Sequence, residues 1–236
     1  MRSLAVLAAA IALAGCGGDD EGALVVFAAS SLSGVADEID PAADVIFGGS
    51  NDLAAQIRDG ADVDVFLSAS ARQMEELGDE GLLDEPVVFA SNRLVVVVPA
   101  EPRENITALV DLTRAGVKLV LGAEGVPIGD YAREALASAG LDDALARVVS
   151  LEEDVKGVLG KVALGEADAG IVYATDARAA GGDVRSFPVP DRYQPEIRYY
   201  AAVLAPGEDA GAYLQLLLGD EGRAALDRAG FLPPPA

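Results

Sequence analysis

Short β-branched runs alternate with alanine- and leucine-rich amphipathic stretches along almost the whole chain, and this alternation restricts the fold more than any other feature. Residues 24–27, 45–47, 65–67, 94–98, 118–121, 169–173 and 199–204 read as strands. Residues 33–38, 52–59, 71–80, 130–139, 155–165 and 210–229 read as mostly helix, with Gly140, Gly165 and Gly230 near helix ends. Alternation of this kind covers mainly parallel sheets with helices, the α/β class. Ligands in such folds sit beyond the carboxyl ends of the strands. Two runs, Arg93 to Pro99 and Ile197 to Leu204, are almost continuously apolar, as strands buried on both faces are.

The amino terminus indicates where the chain works. Met1-Arg2 is a minimal basic start, Leu4 to Leu13 is an apolar run too short to span a bilayer, and Leu13-Ala14-Gly15-Cys16 follows. This pattern reads as a lipoprotein signal over residues 1–15, with acylation at Cys16; the bland alternative is an ordinary secretory signal with an incidental cysteine. Cys16 is the only cysteine, so neither an internal disulfide nor a multi-cysteine metal site is available. Residues 16–22 are polar and glycine-rich and suit a flexible tether, which places the start of the folded part near Ala23. The remainder is long enough for two lobes or one large domain.

The formal net charge of -22 repels nucleic acid and anionic lipid headgroups. It repels an anionic ligand at long range as well, so any anion site must act locally, through aligned N–H groups at contact distance. Histidine is absent, which removes the usual general base and the commonest transition-metal ligand.

Four segments place a small polar or glycine-bounded turn directly before a helical stretch: Phe27-Ala28-Ala29-Ser30-Ser31-Leu32, Phe47-Gly48-Gly49-Ser50-Asn51-Asp52-Leu53, Gly125-Val126-Pro127-Ile128-Gly129-Asp130-Tyr131 and Glu153-Asp154-Val155-Lys156. A helix start offers unpaired N–H groups and a positive dipole end, so several converging on one point make an anion site without a cationic side chain. Taken singly, Ser31 and Ser50 read as N-caps or as hydroxyl donors, and Asp154 as an N-cap. Tyr173, at the end of an apolar run, reads as packing or as a phenolic donor. Thr175 and Asp176 read as helix-start caps.

In this order and at these spacings the four segments, with Gly170-Ile171-Val172-Tyr173-Ala174-Thr175-Asp176, resemble the molybdate-binding proteins of bacterial ABC importers, from about Leu24 to Phe231. The resemblance implies a two-lobed, type II periplasmic-binding-protein-like α/β fold with a mainly parallel sheet in each lobe and two crossover strands at a hinge. Residues 23–92 and 202–236 would form lobe 1, and residues 93–201, including the hinge strands, lobe 2. It implies ligand donors from the hydroxyls of Ser31, Ser50 and Tyr173 and from the main-chain N–H groups of Ile128 and Val155. Family members commonly carry alanine where this chain has Ile128, which raises the question of whether the larger side chain narrows the cleft. The implied function is a non-enzymatic, extracytoplasmic, lipid-anchored receptor that hands molybdate or tungstate to ABC permease subunits. It would be monomeric, without a cofactor, without direct protein ligands to molybdenum and without nucleic-acid partners. Three alternatives stand beside it: a receptor for another tetrahedral oxyanion such as sulfate, a serine hydrolase using Ser31 or Ser50, which without histidine would need a lysine base, and a structural surface lipoprotein with an empty cleft.

Overall fold

The computed structural model describes residues 23–205 and 207–235. The expected signal, Cys16 and the tether lie outside those residues. Among the described residues there are ten strands: β1 (Val25–Ala29), β2 (Asp44–Gly48), β3 (Val65–Ser68), β4 (Val87–Asn92), β5 (Leu94–Pro99), β6 (Leu119–Gly122), β7 (Val148–Glu152), β8 (Ala169–Tyr173), β9 (Val184–Pro188) and β10 (Ile197–Val203). The α-helices are α1 (Ala36–Ile39), α2 (Ser50–Arg58), α3 (Ala71–Asp79), α4 (Pro127–Ser138), α5 (Val155–Ala163), α6 (Ala174–Ala179), α7 (Glu208–Leu218) and α8 (Asp220–Ala229).

The strands form two five-stranded sheets, in the orders β2-β1-β3-β10-β4 and β7-β6-β8-β5-β9. In the first, β1 pairs parallel with β2 and β3, whereas β10 runs antiparallel to both β3 and β4. The second repeats the scheme: β6 is parallel to β7 and β8, and β5 is antiparallel to β8 and β9. Four strands of each sheet therefore point one way and one is reversed, so the sheets are mainly parallel. In each, the reversed strand is the one the chain enters on crossing from the other lobe: β5 after Asn92-Arg93, and β10 after the segment between β9 and Ile197.

Several expectations are amended. All of β10 lies in the first sheet, so an expected lobe boundary at 201/202 falls inside a strand and the second crossing precedes Ile197. The stretch expected as mostly helix over 210–229 is two helices, broken at Gly219, whose backbone is extended. The helix expected over 33–38 contracts to the four residues of α1, after a 3-10 turn at Ser30–Leu32.

The core is made of the inner strands and one face of each helix. In α5, Val155, Val158, Leu159 and Val162 are buried, and Gly170 on β8 lets that face come close: a Cβ there would sit 2.9 Å from Val158 Cγ1. Gly129 in α4 does the same at β6, where a Cβ would collide with the carbonyl oxygens of Gly122 and Ala123. The approach at Gly129 fixes the amino end of α4 at the carboxyl end of β6, where the chemistry lies, and the approach at Gly170 seats the body of α5 on β8.

Candidate functional site

All five residues singled out in the sequence border one cavity between the lobes: Ser31 and Ser50 from the first, Ile128, Val155 and Tyr173 from the second. Its volume is about 10 Å³, the scale of a bound water or small inorganic ion rather than of a metabolite.

Ser31 sits in the 3-10 turn that follows β1, and its Oγ lies 2.9 Å from the Tyr199 hydroxyl. Ser50 is the first residue of α2; it makes no cap bond, and its Oγ accepts from the Ala69 N–H at 3.1 Å. The capping alternative is thus set aside for both serines. In the second lobe, Ile128 and Val155 occupy the first turns of α4 and α5, where main-chain N–H groups have no helical acceptor. Pro127 at the start of α4 removes an N–H that would have been orphaned and sets the helical φ. The Ile128 side chain belongs to the core of the second lobe, and a Cβ on Gly122 would lie 2.8 Å from its Cγ2, so the absence of a side chain there makes room for the extra bulk. Asp154 does cap α5: its Oδ1 accepts from the Gly157 N–H at 2.8 Å, turning carboxylate charge toward the backbone.

Tyr173 ends β8, 2 % exposed, and its hydroxyl has no hydrogen-bond partner among the described residues. Its ring meets Tyr131 and Tyr199 edge to face at 6.5 and 6.0 Å between centroids. Burial pushes its acidity well below that of a free phenol, so it remains a proton-bearing donor. A buried hydroxyl without a partner beside a small cavity is a donor open to a small acceptor placed there, since leaving it unpaired costs about 1–3 kcal/mol.

The lobes are drawn together over the cavity. Arg72 of α3 donates to the Gly125 carbonyl at 2.9 Å and lies 3.4 Å from Asp130, both in the second lobe. Gly125 has φ of +87°, a turn that favours glycine, and it is this turn's carbonyl that Arg72 reaches. On the other side a Cβ on Gly49 would lie 2.5 Å from the Glu153 carbonyl oxygen, so a glycine is needed for the lobes to meet. Asp52, Glu152, Glu153 and Asp154 line the adjoining groove.

Residues not anticipated complete the surroundings. Asn92 donates from Nδ2 to Thr175 Oγ1 at 2.9 Å and to the Tyr199 hydroxyl at 3.3 Å. Neither Thr175 nor Asp176 caps α6, contrary to expectation: Thr175 accepts from Asn92, and the fully buried Asp176 carboxylate lies 2.9 Å from Lys156 Nζ. Burial raises the Asp176 pKa in spite of that ammonium. The only forewarning in the sequence was a polar Asn92 immediately before a strongly apolar strand.

The hydroxyl oxygens of Ser31 and Ser50 have the Tyr199 hydroxyl and the Ala69 N–H as partners, and Lys156, one of the lysines the serine-hydrolase alternative would need as a base, is paired with Asp176. No cluster of three or more metal-ligating side chains occurs among the described residues, and no helix there is long and apolar enough to cross a membrane.

Residues 24–232 match the family described as bacterial extracellular solute-binding protein. The molybdate-binding protein ModA of Mycobacterium tuberculosis is 35% identical over 224 residues, covering 89% of this chain and 85% of the relative. A putative ABC transporter substrate-binding lipoprotein of Bacillus subtilis, YvgL, is 35% identical over 134 residues, 56% of this chain and 51% of the relative. Among solved structures, the periplasmic molybdate-binding protein of Azotobacter vinelandii superposes with a TM-score of 0.79 at 24% identity, covering 90% of this chain and all of that one, a likeness of fold.

Proposed function

The chain belongs to the bacterial extracellular solute-binding proteins, and within them to the ModA family, and on that footing we propose that it captures molybdate between its lobes for an ABC importer. The hydroxyls of Ser31, Ser50 and Tyr173 and the main-chain N–H groups of Ile128 and Val155 would hold the oxyanion. The observation that carries this reading is the meeting, in one small cavity, of donors from both lobes with the unpartnered, buried Tyr173 hydroxyl among them.

The chemistry selects the ligand. Molybdate and tungstate are fully ionised at neutral pH and only accept hydrogen bonds, which a donor-lined site satisfies. Hydrogen phosphate brings a proton that needs an acceptor, and burying it unpaired costs about 1–3 kcal/mol. Sulfate is smaller, so a cavity fitted to the larger oxyanions lengthens every contact to it. Because Ser31 and Ser50 stand on one lobe and the other three residues on the second, the anion completes its bonds only when the cleft shuts, which couples binding to closure.

In this reading the protein is a monomeric receptor and catalyses nothing. It works on the extracytoplasmic face of the membrane, anchored by acylation of Cys16, and hands its cargo to permease subunits; the Leu13-Ala14-Gly15-Cys16 pattern and the lipoprotein description of the B. subtilis relative support the anchor.

A thermal-shift screen of oxyanions followed by calorimetry tests the ligand. Binding to the native state raises stability by RT ln(1 + [L]/Kd), about 4 kcal/mol at a thousandfold excess over Kd. Molybdate and tungstate are expected to raise the melting temperature strongly and phosphate to leave it unchanged. A larger response to sulfate than to molybdate would overturn the choice of ligand.

A further inference from the structure

We infer that Asn92 and Tyr199 are positioning residues that fix Ser31 as a hydrogen-bond donor toward the cavity, through a directed relay starting where the chain first crosses between the lobes. This deepens, and rests on, the oxyanion reading of the site.

The direction follows from atoms that have no choice. The Arg93 N–H points at one side-chain atom of Asn92, 2.8 Å away, and only an oxygen can accept there. The other atom is therefore the amide nitrogen, which has two protons and accepts nothing. One proton goes to Thr175 Oγ1 at 2.9 Å and the other to the Tyr199 hydroxyl at 3.3 Å. Asn92 and Tyr199 are both buried, at 4 % and 0 % exposure, so bulk water does not compete for these groups. Receiving a bond from Asn92, the Tyr199 oxygen has its own proton left, and Ser31 Oγ at 2.9 Å is its remaining partner among the described residues. Burial keeps that phenol protonated throughout the physiological range. Ser31 thus accepts from Tyr199, and its single proton is left for the cavity.

Ser50 reaches the same polarity by another route. Its Oγ accepts from the Ala69 N–H, an obligate donor, which leaves its proton free as well. Both first-lobe hydroxyls have a lone pair occupied from behind and keep a proton for the cavity. A hydroxyl left to itself accepts as readily as it donates and would tolerate a protonated oxyanion; the relay withdraws that tolerance at Ser31.

Asn92→Asp reverses the relay without changing its shape. The carboxylate still accepts from the Arg93 N–H, but now also accepts from Tyr199, so Tyr199 accepts from Ser31 and Ser31 turns a lone pair toward the anion. Calorimetric titrations with molybdate, sulfate and phosphate at mildly alkaline pH, where phosphate is mainly a dianion, read this out. All three ligands then carry the same charge, and the Coulombic effect of the new carboxylate cancels in their ratios.

Asn92→Asp is expected to lose at least about tenfold more affinity for molybdate and for sulfate than for hydrogen phosphate. Adding Tyr199→Phe to Asn92→Asp cuts the reversed relay and should restore part of the molybdate affinity. An Asn92 that only supports the fold would weaken all three ligands alike, and the double variant would bind more weakly than Asn92→Asp; either result overturns the relay. Should Asn92→Asp fail to fold, Tyr199→Phe alone, which keeps the ring packed on Phe89, Tyr173 and Phe231, is expected to reduce the preference for molybdate over hydrogen phosphate. An unchanged preference overturns the proposal. Wild-type protein that binds none of the three anions would overturn the reading of the site itself, a result distinct from parallel losses in the variants.

Discussion

Ser50 serves two partners with one oxygen: it accepts from the buried Ala69 N–H and faces the cavity. Ser50→Ala should therefore weaken molybdate binding by about 1.5–3 kcal/mol, the range for a hydrogen bond to a charged group, and also lower apo stability by about 1–3 kcal/mol by orphaning that N–H. Calorimetry and unfolding of the apo protein separate the two; an apo effect without an affinity effect would make Ser50 purely structural. Lys156 and Asp176 carry a pH signature. Because burial raises the folded-state pKa of Asp176 above its unfolded value, the folded form binds more protons between the two values, and this group adds stability as pH falls through that window. Lys156→Met removes the counter-charge and should cost about 1–3 kcal/mol near neutrality, discounted because Lys156 is one-third exposed, with the cost shrinking on acidification. Urea unfolding across mildly acidic to neutral pH checks this, and a pH-independent cost would contradict it. At this scale the sequence showed which hydroxyls stand at helix starts, because that depends on neighbours in the chain. What those hydroxyls bond to was hidden, since Tyr199 is 168 positions from Ser31 and no local pattern couples them.

Among the elements, legibility followed burial except at β2, an edge strand read from its β-branched run. The inner strands β5, β8 and β10 announce themselves as apolar runs, whereas β4, β7 and β9 were not anticipated, and all three are edge strands. An edge strand buries less of its surface and carries a weaker pattern; β7 leaves Val149 and Leu151 more than half exposed. The break at Gly219 was likewise invisible, because helical spacing resumes directly after it. The amino ends of α2, α4 and α5 were legible through their turns, but not how closely those turns meet. That closeness is testable at Gly49. Gly49→Ala puts a methyl group 2.5 Å from the Glu153 carbonyl oxygen, a backbone clash across the lobes, and 2.8 Å from Asn51 Oδ1 in its own lobe, a side chain that can turn away. The expected result is a loss of about 1–3 kcal/mol in molybdate affinity, with apo melting hardly changed. Full affinity in this variant would mean that the lobes need not approach so closely.

For the molecule as a whole, the net charge of -22 and the acidic groove beside the cavity oppose the approach of a dianion, while the site itself uses uncharged donors at contact distance. Added salt should thus speed molybdate association, by screening repulsion over distances beyond about 10 Å, and leave dissociation nearly untouched. Stopped-flow measurements across ionic strength decide this, and an association rate that fell with salt would show that the helix ends dominate the field outside the cleft. The α/β class with mainly parallel strands was foreseeable from strand and helix alternation, and the two lobes from the family resemblance, but the membership of β10 was not, because it depends on pairing between distant segments. That membership has a consequence for how the chain comes into being. Five strands contiguous in sequence, β5 to β9, make up the second sheet, whereas the first holds β10 between β3 and β4. A chain emerging amino terminus first can finish its second lobe while its first still lacks a central strand. The lobe begun first is thus the last to be completed, and a chain cut between β9 and β10 keeps one finished lobe beside a sheet with two unpaired edges facing a gap, an aggregation hazard born of strand order alone.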